Sequence, residues 1–289
     1  MEKTADTSDI GGFEYLFEAS RFQDGVICGD EMFNFDASGR CEVYSLSKKS
    51  KTASFTLDKA DIIVPHCNSV CFGRPDASGG YTPLYANIYN NRAKMPDRME
   101  GVCCVYRLIK DKESFSSRLI QMIRVGFASS PGLWMSLHGK GDVRPYGNFV
   151  IDADSGRLYA FVMRDREKVT RFFAFDLPDP GSGVVDERYG VPVVTLGEDM
   201  ILDMFDVPYS NYLQGACCRG GIIYSLEGFE SAEVPPAIRI IDTAKRKQTG
   251  LIDLWGTGLR NEPEFIDISG GNLYYRDGRG KLFSHPLPL

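Results

Sequence analysis

Short apolar runs separated by turn residues recur along the whole chain. No segment keeps the three- and four-residue apolar spacing of an amphipathic helix over three turns. Most runs are only a few residues long and are bounded by Gly, Asp, Asn or Ser, as is typical of β-strands joined by hairpins. The segment Asp36-Ala37-Ser38-Gly39 is one such predicted hairpin turn. The pattern therefore predicts an all-β protein.

The predicted strands group in fours, and only the last group has three. A propeller blade consists of four antiparallel strands, so this grouping predicts blades rather than one continuous sheet. The predicted strands are residues 25–29, 31–36, 41–46 and 52–57; 69–72, 83–89, 101–109 and 117–125; 148–152, 157–163, 171–177 and either 191–196 or 201–205; 215–218, 222–227, 237–242 and 250–254; and 264–268, 272–276 and 281–286.

One further apolar run, at residues 13–19, precedes the first group. Placed outside residues 281–286, it completes the last blade and protects a sheet edge that would otherwise be exposed. The sequence therefore predicts a five-bladed β-propeller closed by its N-terminal strand. We expect one domain over residues 1–289, with blades at about residues 22–60, 66–127, 147–206, 213–256 and 262–289.

A polar residue stands at the start of each predicted innermost strand. Innermost strands line the central channel of a propeller, so their starting ends open on one face. We therefore expect five side chains to converge at one mouth of the channel and to bind a ligand there: Asp24, His66, Asn148, Gln214 and Glu264.

The innermost and second strands repeat a pattern in three of the groups. They are Asn148-Phe-Val-Ile-Asp with Arg157-Leu-Tyr-Ala, Gln214-Gly-Ala-Cys with Gly221-Ile-Ile-Tyr, and Glu264-Phe-Ile-Asp with Gly271-Asn-Leu-Tyr. This pattern resembles five-bladed β-propellers of the broad tachylectin, nucleotidase and glycosidase type. For a glycosidase, the resemblance implies acidic residues on the inner strands of several blades. Of the four corresponding positions in this chain, only Asp24 and Glu264 are acidic.

Asp24 and Glu264 are the candidate catalytic pair, because closure of the ring makes the first and fifth blades neighbours. Two carboxylates in one narrow site repel each other, so one pKa is expected to rise and the other to fall. A general acid and a nucleophile or base require such a difference. His66, one blade further on, is the candidate proton shuttle. With these three residues, the sequence is compatible with a glycosidase- or lyase-type reaction.

The same region can also bind a metal ion or another ligand without catalysing a reaction. Oxygen atoms of Asn148 and Gln214, with the carboxylates, suit a divalent cation such as Ca²⁺, and His66 would favour a transition metal. Tyr146 and Tyr212 precede two of the polar positions, and aromatic rings beside amides suit a carbohydrate. A third alternative is an inert channel, in which these groups bond neighbouring blades and water, inside a protein-interaction scaffold.

The charge and the apolar content of the chain indicate which classes of partner we do not expect. The 289 residues carry a net charge of −6, and basic runs such as Lys245-Arg246-Lys247 are short, so we expect no nucleic-acid partner. No apolar run approaches the roughly 18 residues of a membrane-spanning helix. Residues 1–10 lack the apolar core of a signal peptide. We expect a monomer that is cytoplasmic as the sequence stands, or exported if a leader has been removed.

The eight cysteines form no CxxC pair, which excludes a zinc ribbon, and most lie within predicted strands as expected buried thiols. The sequence therefore predicts a propeller that binds a small polar ligand, with carbohydrate as the preferred class. The alternatives are an enzyme that uses the paired carboxylates and an interaction scaffold.

Overall fold

The predicted strand groups form five sheets in the structure. It is a computed structural model that describes residues 11–75, 80–88, 101–125, 143–210 and 212–287, with only the backbone at residues 143–147. The strands are β1 Glu14–Glu18, β2 Asp24–Cys28, β3 Glu31–Phe35, β4 Arg40–Ser45, β5 Ser50–Thr56, β6 Val70–Phe72, β7 Leu84–Ile88, β8 Val102–Asp111, β9 Ser114–Val125, β10 Val143–Asp152, β11 Arg157–Arg164, β12 Val169–Asp176, β13 Val184–Asp186, β14 Val191–Leu196, β15 Asp203–Pro208, β16 Leu213–Arg219, β17 Ile222–Glu227, β18 Ala237–Asp242, β19 Lys247–Asp253, β20 Pro263–Ser269, β21 Asn272–Asp277 and β22 Lys281–Pro286.

Helical segments in the described part of the chain are short: α1 Ala60–Ile63, α2 Leu254–Thr257 and a 3₁₀ turn at Glu198–Met200. None of these has the length and apolar character that crossing a membrane would require.

The sheets are arranged as the blades of a propeller. Their strand orders are β2-β3-β4-β5, β6-β7-β8-β9, β10-β11-β12-β15, β16-β17-β18-β19 and β20-β21-β22-β1. The five innermost strands β2, β6, β10, β16 and β20 lie side by side in a ring, and β20 contacts β2. This arrangement confirms the predicted five-bladed β-propeller.

The N-terminal strand closes the ring, as predicted. Strand β1 pairs antiparallel with β22, with Glu14 opposite Ser284 and Glu18 opposite Lys281. The Ala19 amide donates to the carbonyl oxygen of Gly280 at 2.8 Å. Phe13 and Phe17 are buried against the last blade, so β1 contributes apolar packing as well as backbone pairing.

The fourth strand of the third blade is the second of the two predicted alternatives, shifted by a few residues. Strand β15 pairs with β12, whereas β14 pairs in parallel with β9 of the second blade. The short strand β13 then forms the outer edge of that second sheet. No hairpin connects β9 to β14, so no local turn signal in the sequence identifies them as partners.

Stacking of the blades explains why many strands are apolar on both faces. In β11, residues 158–163 are all buried, because neighbouring blades cover both sides of the sheet. Turn residues interrupt these runs, as at Asp36, whose side chain accepts hydrogen bonds from the amides of Ser38 and Arg40. This confirms the predicted hairpin turn between β3 and β4.

All eight cysteines are free thiols, and six of them are buried, as predicted. Cys28 is exposed and Cys218 is half-buried. Burial shields a thiol from reagents and raises its pKa, as at Cys217. We therefore expect a maleimide probe to label Cys28 rapidly in the native protein and the six buried thiols only after unfolding. Mass spectrometry of Cys28→Ser should show loss of the rapid phase, and rapid labelling of most sites would contradict the buried positions.

Candidate functional site

The five polar positions begin or precede innermost strands, but not at identical places. Asp24 is the first residue of β2, Gln214 and Glu264 are the second residues of β16 and β20, and Asn148 lies further along β10. His66 lies on the loop between α1 and β6. The five side chains are therefore attached at backbone positions that are not equivalent from blade to blade.

Gln214 and Glu264 both occupy β-bulges. The pairing register shifts between Leu213 and Gly215 in β16, and between Pro263 and Phe265 in β20, which leaves the residue between them unpaired. A bulge re-aims a side chain relative to the regular alternation of a strand. Pro263 favours this irregularity in β20 because proline has no amide hydrogen to donate to the ladder.

The two bulges bring the fourth and fifth blades together. The Gln214 Nε2 atom donates to Glu262 Oε1 at 2.9 Å and to the carbonyl oxygen of Gly228 at 3.1 Å. Glu262 in turn lies close enough to Glu264 to raise its pKa. A chain of polar groups therefore links the start of β16 to the start of β20.

The Glu264 carboxyl is the least satisfied acid of this group. Its residue is 9% exposed, and no described residue forms a hydrogen bond with it. Burial, with smaller contributions from the charges of Glu262 and Asp24, raises its pKa to about 8, and the charge of Arg276 opposes this rise. Gly278 lies against it, since a Cβ atom there would stand 3.5 Å from Glu264 Cγ and 3.3 Å from the Glu262 carbonyl oxygen. At neutral pH this carboxyl is therefore mainly protonated.

Asp24 lies deeper and also holds the ring together. Its Oδ2 atom accepts a 2.8 Å hydrogen bond from the Val70 amide of the next blade, while its buried Oδ1 atom has no partner among the described residues. A Cβ atom on Gly215 would come within 3.6 Å of this carboxylate, so the glycine allows close approach. Burial raises the pKa of Asp24 well above its usual value, against the amides of Gly25 and Val70.

Arg276 supplies the positive charge beside these acids. It is fully buried on β21, and its guanidinium donates to the carbonyl oxygens of Phe22, Gln23 and Asp277. Main-chain atoms therefore hold this cation, and no carboxylate hydrogen-bonds to it directly. Burial lowers its pKa, while the charges of Glu264 and Asp24 raise it.

We call the residues Asp24, Gln214, Glu262, Glu264 and Arg276 the Glu264 site. The structure brings three of the predicted positions into this neighbourhood: Asp24, Gln214 and Glu264. Both carboxyls of the candidate catalytic pair have a raised pKa, because burial dominates at each. A general acid paired with an ionised nucleophile would require opposite shifts.

Within the described part of the chain, no hydrogen bond is found between the Glu264 site and Asn148 or Tyr212. Asn148 is buried, and its Oδ1 atom has no partner among the described residues. His66 is half-buried on its loop. Tyr212 is 48% exposed and stacks on Phe229 with ring centroids 5.8 Å apart. The side chain of Tyr146 lies outside the described part of the chain.

Three residues of this region were not predicted from the sequence. Glu262 carries a signal that could have been used, because Glu262-Pro263-Glu264 places two acids around the bulge-forming proline. Arg276 is an ionisable residue within a predicted buried strand, which usually indicates a specific partner. Phe229 is separated by 17 positions from the tyrosine on which it stacks, and no local pattern links them.

Within the described residues, no three His, Cys, Asp or Glu side chains are grouped closely enough to hold a metal ion. The Glu264 site contains two nitrogen donors, on Gln214 and Arg276, where a divalent cation would need oxygen ligands.

No protein-family model matches the sequence, and no curated protein matches it. Among solved structures, glutaminyl cyclase from Myxococcus xanthus is 13% identical, with a TM-score of 0.50 over 93% of this chain and 92% of that chain. Raptor from Chaetomium thermophilum is 12% identical, with a TM-score of 0.43 over 98% of this chain but only 21% of that chain. The likeness to glutaminyl cyclase shows the fold that the two chains share.

Proposed function

We propose that this protein binds a small polar ligand at the Glu264 site. The observation that supports this proposal is a glutamate that is 9% exposed and whose carboxyl has no hydrogen-bond partner among the described residues. A buried polar group without a partner costs roughly 1–3 kcal/mol, and a bound ligand can supply the missing hydrogen bonds. The Gln214 side chain, which donates to the neighbouring Glu262, is a further polar group beside this carboxyl.

Carbohydrates are one ligand class for this site. The stacked rings of Tyr212 and Phe229 lie beside Gly228, whose carbonyl oxygen accepts from Gln214. An aromatic face packs on the apolar face of a sugar, while amide and carboxyl groups bond its hydroxyls.

An enzyme is the second candidate function, and the pKa of Glu264 supports it. A carboxyl with a pKa of about 8 is protonated at neutral pH and can still lose its proton, as a general acid–base residue must. Glu264 would then be the proton donor or acceptor, and Asp24 would position Val70 and contribute charge. A lyase-type proton transfer needs only one such group, whereas a glycosidase needs two carboxyls with different ionisation.

The binding proposal predicts a Glu264-dependent thermal shift. We expect at least one sugar, organic ion or nucleotide in a broad screen to raise the melting temperature. A ligand at 100 times its Kd stabilises the folded state by about 2.7 kcal/mol. Glu264→Gln should remove most of this shift, because the amide keeps the shape and loses the ionisable oxygen. The measurement is differential scanning fluorimetry on both proteins.

Glu187→Gln is the matched control, because Glu187 is an exposed glutamate on the turn between β13 and β14. It should respond to ligand as the unchanged protein does. An equal response from Glu264→Gln would place the ligand elsewhere. If nothing in the screen binds, the scaffold alternative replaces this proposal, and the exposed Val184 and Val185 of the edge strand β13 become the surface to test.

A further inference from the structure

Acidic groups line a path from the surface of the fourth and fifth blades to the channel. Glu230 is exposed, Glu262 is half-buried, Glu264 is 9% exposed and Asp24 is fully buried. Neighbours along this path affect one another, since Glu230 raises the pKa of Glu262 and Glu262 raises that of Glu264. The negative potential of these acids extends inward from the entrance, and the Glu264 carboxyl adds to it when it ionises near pH 8.

Positive groups compensate this path only in part. Arg279 lies at the exposed end, with its Nη2 atom 3.6 Å from Glu230, and Arg276 lies at the buried end. The Nη1 and Nη2 atoms of Arg276 donate to main-chain carbonyl oxygens, its Nε atom has no partner among the described residues, and no ion pair with Glu264 forms there. The middle of the path, at Glu262 and Glu264, has no cationic side chain bonded to it among the described residues.

The segments that carry the stacked rings of Tyr212 and Phe229 are linked to this uncompensated stretch by hydrogen bonds. Gln214 connects them to it, because its Nε2 atom bonds both the Gly228 carbonyl oxygen and Glu262. The Gly228 amide donates to the carbonyl oxygen of Tyr212. The rings are 48% and 40% exposed, so both are accessible to a ligand.

We infer that the ligand of the Glu264 site is a small organic cation, an amine or a quaternary ammonium. This inference rests on the proposed binding function and names its ligand class. The cationic group approaches the Glu262 and Glu264 carboxylates, and its alkyl surface packs on the Tyr212 and Phe229 rings. Aromatic faces attract such cations through the ring quadrupole, in addition to the attraction of the acids.

Other ligand charges fit this arrangement less well. An anion would enter past Glu230 and Glu262 and would oppose ionisation of Glu264 and Asp24. A metal ion would meet the Gln214 amide nitrogen, and the aromatic rings would offer it no ligand atoms. A neutral sugar would leave the acids without compensating charge. The organic cation is the class that uses the carboxyls and the rings together.

Binding of a cation to this site should be coupled to release of a proton. Glu264 has a pKa of about 8 and faces Asp24 on β2, Tyr275 and Arg276 on β21, and Glu262 before β20. Below pH 8 its carboxyl is mainly protonated and must ionise to pair with the cation. Affinity should therefore rise by up to about tenfold per pH unit from pH 6 to 8 and level off above pH 8.

Choline and 3,3-dimethylbutan-1-ol test the inference by isothermal titration calorimetry. The two probes have nearly the same shape, and choline carries a charge that does not change with pH. We expect choline to bind at least tenfold more tightly than the alcohol at pH 9. Glu264→Gln should weaken choline binding about tenfold and remove most of its pH dependence. Tyr212→Ala should weaken it several-fold, while Glu187→Gln should bind choline as the unchanged protein does.

Equal binding of the two probes, no binding of choline, or unchanged choline binding by Glu264→Gln would overturn the cation inference. Displacement of choline by CaCl₂ at equal ionic strength would overturn it in favour of a metal site. A neutral sugar whose thermal shift depends on Glu264, without choline binding, would contradict the ligand class but leave the proposed binding site standing. Absence of any Glu264-dependent ligand would contradict both.

Discussion

Removal of residues 1–20 is expected to abolish cooperative folding. Strand β1 is the outer strand of the last blade, and its loss leaves the β22 edge and the apolar face beneath it exposed. Phe13 and Phe17 are 1% and 7% exposed, and losing a buried Phe side chain costs about 3–5 kcal/mol. Two such losses are comparable with the roughly 5–15 kcal/mol that stabilise a typical protein. Circular dichroism melting and size-exclusion chromatography should show a broad transition and aggregation.

Point variants in β1 distinguish the contribution of its apolar side chains from that of its backbone pairing with β22. Phe17→Ala should cost about 3 kcal/mol or more in urea unfolding. Glu18→Ala, at the next position of the same strand but exposed, should cost less than about 0.5 kcal/mol. A truncated protein that stays soluble and keeps its melting temperature would show that β1 does not close the ring.

The closure could be predicted from the sequence because it follows from counting strands. Four strands per blade and protected edges are general requirements, and residues 13–19 were the one apolar run left without a blade. The parallel pairing of β14 with β9 was not predictable in this way. The partners are far apart in the chain, and the pairing adds a strand to a blade that is already complete.

The candidate site could be predicted only in outline. Asp24, Gln214 and Glu264 were recognisable as polar starts of innermost strands, and all three belong to the Glu264 site. Their geometry depends on two bulges, and a bulge changes the direction of a side chain without a distinct signal in hydrophobic alternation. Arg276 could not be placed, because it is held by carbonyl oxygens, which every residue carries.

The raised pKa values of Asp24 and Glu264 could not be predicted from the sequence either. Repulsion between two carboxylates predicts a split, in which one pKa falls as the other rises. The structure adds a burial cost at each acid, and this cost outweighs the amide bonds of Asp24 and the charge of Arg276. Such a pKa shift depends on how deeply the residue is buried in the channel, and the pattern of apolar and polar residues along the sequence does not give this depth.

Replacement of the Glu264 carboxyl by an amide is expected to stabilise the free protein at alkaline pH. The ordinary pKa of glutamate, 4.5, applies in the unfolded chain, and the pKa in the folded protein is about 8. Between these values the unfolded chain has released its proton while the folded protein retains it. Stability therefore falls as the pH rises from 4.5 to 8, by at most about 1.4 kcal/mol per pH unit, and is constant above 8. Glu264→Gln does not titrate and avoids this loss.

Urea unfolding at pH 4.5 and pH 8.5 should show the difference. We expect Glu264→Gln to match the unchanged protein at pH 4.5 and to exceed its unfolding free energy by about 2–4 kcal/mol at pH 8.5. Other acids should also lower the unfolding free energy of both proteins as the pH rises. Burial raises the pKa of Asp24, and it raises that of Asp267 to about 6. Glu187→Gln should follow the unchanged protein at both pH values. An equal gap between Glu264→Gln and the unchanged protein at the two pH values would mean that Glu264 titrates normally. A gap that opens only at pH 8.5 would show that Glu264 is a carboxyl which destabilises the free protein, as expected of a group whose partner is a ligand.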